Sequence, residues 1–244
     1  MKLTRLSRTK GSILIFGAHP DDIEFGCGAI VASEYLAGSK ITFIICSRGE
    51  SGSFGNPKTR TKEATKASKL LGAKLQFLDL DGDAHLEIKT AHILTLAEKI
   101  RALKPAMVIA PSTTKTQHPD HYKLGEMVRD ATRLARYGGV KELKALTAHK
   151  INQLLFYAVT PDAEPKDSLP LLFDVSSPKV ISLWKKAMQA HGSQVKSKKY
   201  IEFQLARARV LGLNSSLEYA QALYHEHSLV FNSLSQFGTS ARSF

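Results

Sequence analysis

A three-layer α/β fold, with a mostly parallel sheet and helices on both faces, is predicted by two observations. Short apolar runs recur at Ile13–Phe16, Ile41–Ile45, Leu75–Leu78 and Met107–Ala110. They are continuous rather than alternating, as in strands covered on both faces. Helical patterns separate them, and strand–helix repetition of this kind builds a parallel sheet.

The elements follow in order. Cys27–Leu36 continues as a helix after the first strand. Pro57–Leu71 opens on proline, carries Ala64, Ala67, Leu70 and Leu71 on one face, and stops at Gly72. Ile88–Leu103 ends before Pro105, and His121–Tyr137 stops at Gly138–Gly139 with Leu124, Met127, Val128, Ala131, Leu134 and Ala135 on one side. The rhythm then changes. "NQLLFYAV" and "LLFDV" read as further strands, with "TPDAEPKDSLP" as an exposed loop between them. "PKVISLWKKAMQAHG" and "YIEFQLARARVLG" read as helices. The expectation is one Rossmann-like domain over 1–244, with a core at 11–137 that bears the motifs and added strands and helices at 138–244.

Bulk properties narrow the class. Hydrophobic content of 43% and charged content of 23% are ordinary for a soluble globular chain. No run is long and apolar enough for a membrane span. The start, "MKLTRLSRTKG", is basic without an apolar stretch behind it, so it is not read as a secretory signal. With two cysteines, Cys27 and Cys46, a disulfide framework is not expected and a cytoplasmic location is. The net charge of +12 raises the prior for an anionic partner. The basic residues are spread along the chain and do not interleave with aromatics, which disfavours nucleic acid.

The chemistry gathers in "AHPDD" after the first strand and in "HPDH", residues 118–121, after the fourth. In an open parallel sheet both lie beyond the carboxyl ends of the strands, on the edge where ligands bind. They bring together His19, Asp21, Asp22, His118, Asp120 and His121. Two histidines and one carboxylate make a catalytic zinc site with an open fourth position. A second carboxylate nearby serves as general base on the bound water. That division explains the doubled aspartate: one binds the cation, which offsets the repulsion, and the other stays free to take a proton. Iron or cobalt fits the same ligands. Against this stand a plain turn for His-Pro-Asp and a helix cap for the Asp pair. Two such motifs on one edge favour the metal.

"AHPDDIEFGCGAI" followed by "HPDH" resembles the PIG-L/LmbE deacetylases, zinc enzymes that remove acetyl from N-acetylglucosaminyl compounds. "CSRGESGSFG" at 46–55, "RTKEATKASKLLGA" at 60–73 and "LDLDGDAHL" at 78–86 are similar to further family segments, and "AHGSQ" at 190–194 to one of its bacillithiol-pathway branch, whose substrate is N-acetylglucosaminyl malate. The resemblance implies His19, Asp22 and His121 as zinc ligands and Asp21 as general base. It implies His118 as a protonated partner for the oxyanion or the leaving amine, oriented by Asp120. It places Glu50, Arg60 and Asp81 toward the sugar. Gln221 and Ala222 stand where that branch shows an acid and a glycine, which bears on the aglycone more than on the chemistry.

Other features take simpler readings. Gly26-Cys27-Gly28 lacks the third glycine of a dinucleotide fingerprint, Val31 standing in its place, so these glycines are read as allowing close packing. Cys27 and Cys46 read as core, and Trp184 with Val180, Leu183, Ala187 and Met188 as a core stripe. His225 and His227 read as exposed helix-end residues, and His85, His92, His149 and His191 as surface or loop. The expected activity is hydrolysis of the N-acetyl group of a small amino-sugar compound; oligomeric state is left open. The rivals are a zinc amidase for another small N-acyl substrate and, from a different class, a basic nucleic-acid-binding module with structural histidines.

Overall fold

The computed structural model describes residues 11–116, 118–196, 199–236, 238 and 240. The basic start, 1–10, lies outside the described residues. Four strands form where apolar runs demand burial on both faces: β1 (Ser12–Gly17), β2 (Lys40–Ile45), β3 (Ala73–Phe77) and β4 (Met107–Pro111). Between them run α1 (Asp22–Leu36), α2 (Pro57–Leu70) and α3 (Thr90–Leu103), and α4 (Pro119–Arg136) follows. The later part adds β5 (Gln153–Tyr157), β6 (Leu171–Asp174), α5 (Pro178–Gln189), α6 (Gly192–Val195), α7 (Tyr200–Leu213) and β7 (Ala220–His225).

The seven strands order as β3-β2-β1-β4-β5-β7-β6. The first five are parallel, with Ile15 opposite both Phe43 and Ile109, while β7 runs antiparallel to β5 and to β6. Side chains alternate across the sheet. Leu14 and Phe16 pack with Leu96, Ile100, Leu124 and Met127 under α3 and α4. Ile13 and Ile15 pack with Ile30, Val31, Trp184 and Met188 under α1 and α5. The expected three-layer α/β architecture is thus the observed one. The chain leaves β1 toward β2 on one side and returns to β4 on the other, so the crevice beyond β1 and β4 is a topological switch point.

Helix α1 begins earlier than its periodicity suggests, at Asp22, and breaks at Cys27 (φ −143°, ψ 18°). The break releases the Glu24 carbonyl, which accepts from Trp184 Nε1 at 2.7 Å. The restarted helix exposes fresh N–H groups, and Gln221 Oε1 accepts from Ala29 and Ile30 at 3.0 Å each. A Cβ on Gly26 would lie 2.1 Å from the Tyr157 ring, and one on Gly28 2.7 Å from Trp184. The glycines serve close packing, as their sequence context suggested.

Two readings are corrected. His225 ends strand β7 rather than a helix, its Nδ1 lying 3.0 Å from the His227 carbonyl. His191 lies on the connection between α5 and α6 but is fully buried against Glu24 and Phe25, not at the surface.

Candidate metal centre and active site

The HPDD turn leaves β1 with Asp21 at φ 111°, ψ −27°, a left-handed conformation that costs a non-glycine residue energy and recurs at functional sites. HPDH starts α4, with His118 as its N-cap and Pro119 in its first turn. The two motifs meet at the switch point. His19 Nδ1 lies 3.3 Å from His121 Nε2. Asp22 reaches His121 Nε2 through Oδ1 at 3.1 Å and His19 Nδ1 through Oδ2 at 3.5 Å. The His19 backbone N–H donates to Asp22 Oδ2 at 2.8 Å, fixing that carboxylate.

Donor atoms around one tetrahedral cation, each about 2.0–2.1 Å from it, stand about 3.3 Å apart. The His19, Asp22 and His121 atoms have that spacing, and two imidazoles with one carboxylate have the matching chemistry. The local field also favours positive charge. Burial pushes the His19 ring down, but Asp22, Asp120 and Asp83 outweigh it and hold the ring well above its usual value. Burial would raise Asp22, yet His121 and His19 hold it well below the carboxylate range. These residues fit a divalent cation.

Asp21 stands beside this shell. Burial lifts its carboxyl to about 6, against the pull of Arg60 and with a push from Asp22. Arg60 is itself buried. Its Nη2 donates to the Pro20 carbonyl at 2.8 Å and to Asp21 Oδ2 at 3.2 Å, and its Nη1 to the Gly49 carbonyl at 3.4 Å. It lines the cavity, but these donors hold the HPDD turn in place.

Asp120 does not orient His118 through its carboxylate. Asp120 Oδ2 sits 3.1 Å from His19 Nε2 and accepts the Ala84 N–H at 2.7 Å. What reaches His118 is the Asp120 backbone N–H, donating to Nδ1 at 3.3 Å. Nor is His118 held protonated: burial, His19 and His121 push it below the ordinary imidazole value. With Nδ1 accepting, the neutral ring carries its proton on Nε2.

Glu50 and Asp81 are not among the residues lining the cavity. Glu50 accepts the Arg48 and Asp83 N–H groups at 2.9 and 3.0 Å, bracing one loop on another. Asp81 pairs with Lys89 at 2.9 Å and His92 at 3.3 Å. The carboxylate of "LDLDGDAHL" that reaches the centre is Asp83, 3.0 Å from His19 Nε2. Gly82, at φ 88°, turns the loop between the two aspartates. The signal was present as the third Asp of the segment.

These groups open on a cavity of about 370 Å³. The histidines and, Asp120 apart, the aspartates of the centre line it together with Arg60, and Phe25, Thr160, Gln194, Tyr200 and Gln204 also contribute to the lining. A larger cleft of about 500 Å³ beside Lys185, Lys186 and Glu218 shares none of these residues and holds no histidine in its lining.

The family described as PIG-L, GlcNAc-PI de-N-acetylase, matches residues 14–132. Residues 14–132 thus carry a PIG-L family domain. The Escherichia coli (strain K12) protein named "Uncharacterized deacetylase YaiS" is 40% identical over 90 residues, 35% of this chain. That match spans 46%, about half, of the relative's length. Among solved structures, the conserved protein TT1542 from Thermus thermophilus superposes with a TM-score of 0.80 at 27% identity, covering 94% of this chain and all of that one. N,N'-diacetylchitobiose deacetylase from Pyrococcus horikoshii gives 0.78 at 20% identity over 91% of this chain and 86% of its own. GalB, a 4-carboxy-2-hydroxymuconate hydratase from Pseudomonas putida KT2440, gives 0.75 at 21% over 92% and 99%. A shared fold therefore does not by itself fix the reaction.

Proposed function

We propose that this protein is a metal-dependent N-deacetylase that hydrolyses the acetamide of an N-acetylated amino sugar, yielding acetate and the free amine. The observation that carries the reading is the division of labour at the switch point. His19, Asp22 and His121 share the spacing of one ligand set, while Asp21 stands outside it with a raised pKa. The family match and the deacetylase named among the relatives support the reaction class.

Bound by those three residues, a divalent cation, zinc by ligand type with iron or cobalt fitting equally, supplies an acidified water and polarises the acetyl carbonyl. Asp21 takes the water's proton as the new C–O bond forms. Its pKa of about 6 leaves it ionised yet basic enough at neutral pH. His118 donates its Nε2–H to the developing oxyanion. When the C–N bond breaks, Asp21 returns the proton to the departing amine. Arg60 holds the Asp21 turn, and Thr160, Gln194 and Gln204 offer neutral polar groups to the sugar. N-acetylglucosaminyl malate is the finer reading of the substrate. It is supported by the "AHGSQ" segment, whose Gln194 lines the cavity. Gln221, where the segment pattern departs, caps the restarted helix instead.

Acetate release from N-acetylglucosamine, N,N'-diacetylchitobiose and N-acetylglucosaminyl malate tests the reading. Turnover of at least one, abolished by chelation and restored by zinc, is expected. Metal-loaded protein that releases no acetate from any of them contradicts it.

A further inference from the structure

His19 is approached on both ring nitrogens. Nδ1 faces Asp22 and His121, while Nε2 faces Asp83 Oδ1 at 3.0 Å and Asp120 Oδ2 at 3.1 Å. An imidazole that gives Nδ1 to a cation has one N–H left, and here two carboxylates compete for it. Asp120 is 1% exposed, and its Oδ1 has no hydrogen-bond partner among the described residues. A buried carboxylate oxygen without a donor is costly, and two carboxylates at one N–H repel.

A third group stands at the same place. Ligand atoms of Asp83, His118 and Asp120 all lie within 4.8 Å of one another. The His118 ring is edge-on to His19, centroids 4.7 Å apart. Ligation through His118 Nε2 moves the ring proton to Nδ1 and gives up the 3.3 Å contact from the Asp120 N–H.

We propose that Asp83, His118 and Asp120 form a second divalent-cation site on the Nε2 side of His19, distinct from the shell of His19, Asp22 and His121. Two carboxylates and one imidazole suit zinc or manganese. Charge allows it: against the four carboxylates of Asp21, Asp22, Asp83 and Asp120 stands the single Arg60, so one divalent cation leaves the cluster still negative. The second site is the weaker. Asp83 is already compensated by the Ser51 N–H at 3.2 Å and by Arg60 at 3.7 Å, and His118 is exposed. Its filling takes up His118 Nε2, the donor used in the proposed deacetylation. This consequence rests on that reading: zinc beyond one equivalent slows turnover.

Calorimetric titration of the metal-free full chain with zinc alone tests the site. The wild type should bind one tight and one weaker equivalent. Asp83→Asn and His118→Gln should each keep the tight one, since Asp120 still accepts the His19 Nε2–H. A lost direct ligand should weaken the second step by at least the loss of an outer-sphere partner, about 10–100-fold. A single equivalent up to millimolar zinc overturns the proposal, as does a second equivalent that survives both variants. If the two steps behave as stated but the one-zinc form releases no acetate, the deacetylase reading fails and the cation site stands. If the one-zinc form is active and no second step exists, the cation site alone fails.

Discussion

The two ends of α4 both bury charge, and they handle it in opposite ways. At the C-terminal end Arg101 is 1% exposed, and all five of its N–H donors meet neutral backbone carbonyls: Leu134, Ala135, Tyr137, Leu143 and Leu146, at 2.6–3.2 Å. Three of those carbonyls belong to the helix end or its cap, where the macrodipole also favours a cation. At the N-terminal end Asp120 and His121 meet His19, Asp22 and Asp83, charge against charge, with one carboxylate oxygen unanswered. The first arrangement is complete and leaves nothing to bind. The second leaves Asp120 Oδ1 without a donor among the described residues, and it is the end where the proposed cation would bind. Satisfaction of a buried charge marks structure, and shortfall marks function.

The largest effect that can break this contrast is at the shortfall end. His121→Ala should strip the metal and lower kcat/KM by about 10³-fold or more, since a catalytic cation supplies several kcal/mol. Full metal occupancy by elemental analysis in that variant would remove His121 from the shell. At the satisfied end, Arg101→Met should leave buried carbonyls unpaired and cost about 3 kcal/mol or more in denaturant unfolding. The folded fraction should keep its kcat, because nothing at that end touches the cavity.

Asp21 sharpens the contrast through pH. Its folded pKa, about 6, lies above the ordinary carboxyl value, so the folded state holds its proton more tightly than the unfolded one. Ionised Asp21 therefore destabilises the metal-free protein, increasingly from pH ~4 and fully above pH ~6. Asp21→Asn should raise the unfolding free energy at pH 8 by about 2–3 kcal/mol and leave it unchanged near pH 3. The wild-type kcat/KM should fall about tenfold per unit below pH 6. An equal stability change at both pH values would mean that the charge is not the cause. The smallest effect is at Gln221. Replacing it with Leu should cost about 1–2 kcal/mol, the worth of a helix cap, measured by thermal melting with kcat retained.

What was legible in the sequence follows from the same physics. β1, β2 and β4 are buried on both faces, so continuous apolar runs announce them. HPDD and HPDH are contiguous and proline-stiffened, so each brings its candidate site residues already arranged, and the sheet topology joins them. β7 escaped because its Ala220, Gln221 and Ala222 are small or polar residues buried by α1 and β6, not an apolar run. His191 escaped because its burial depends on Glu24, more than 160 residues away in the chain. Asp83 was passed over for Asp81 because only the left-handed turn at Gly82 decides which of the two points inward.

The central claim is that Asp22 holds the cation and Asp21 moves the proton. Bound zinc and kcat measured together on Asp21→Asn and Asp22→Asn test it most directly. Asp21→Asn should keep its zinc while kcat falls by about 10²–10⁴. Asp22→Asn should lose zinc first, with added zinc restoring part of the turnover. If Asp21→Asn loses its metal while Asp22→Asn stays metallated and inactive, the two roles are the reverse of those assigned. If both variants keep metal and near-normal activity, the pair is a turn and a helix cap, and the active site lies elsewhere.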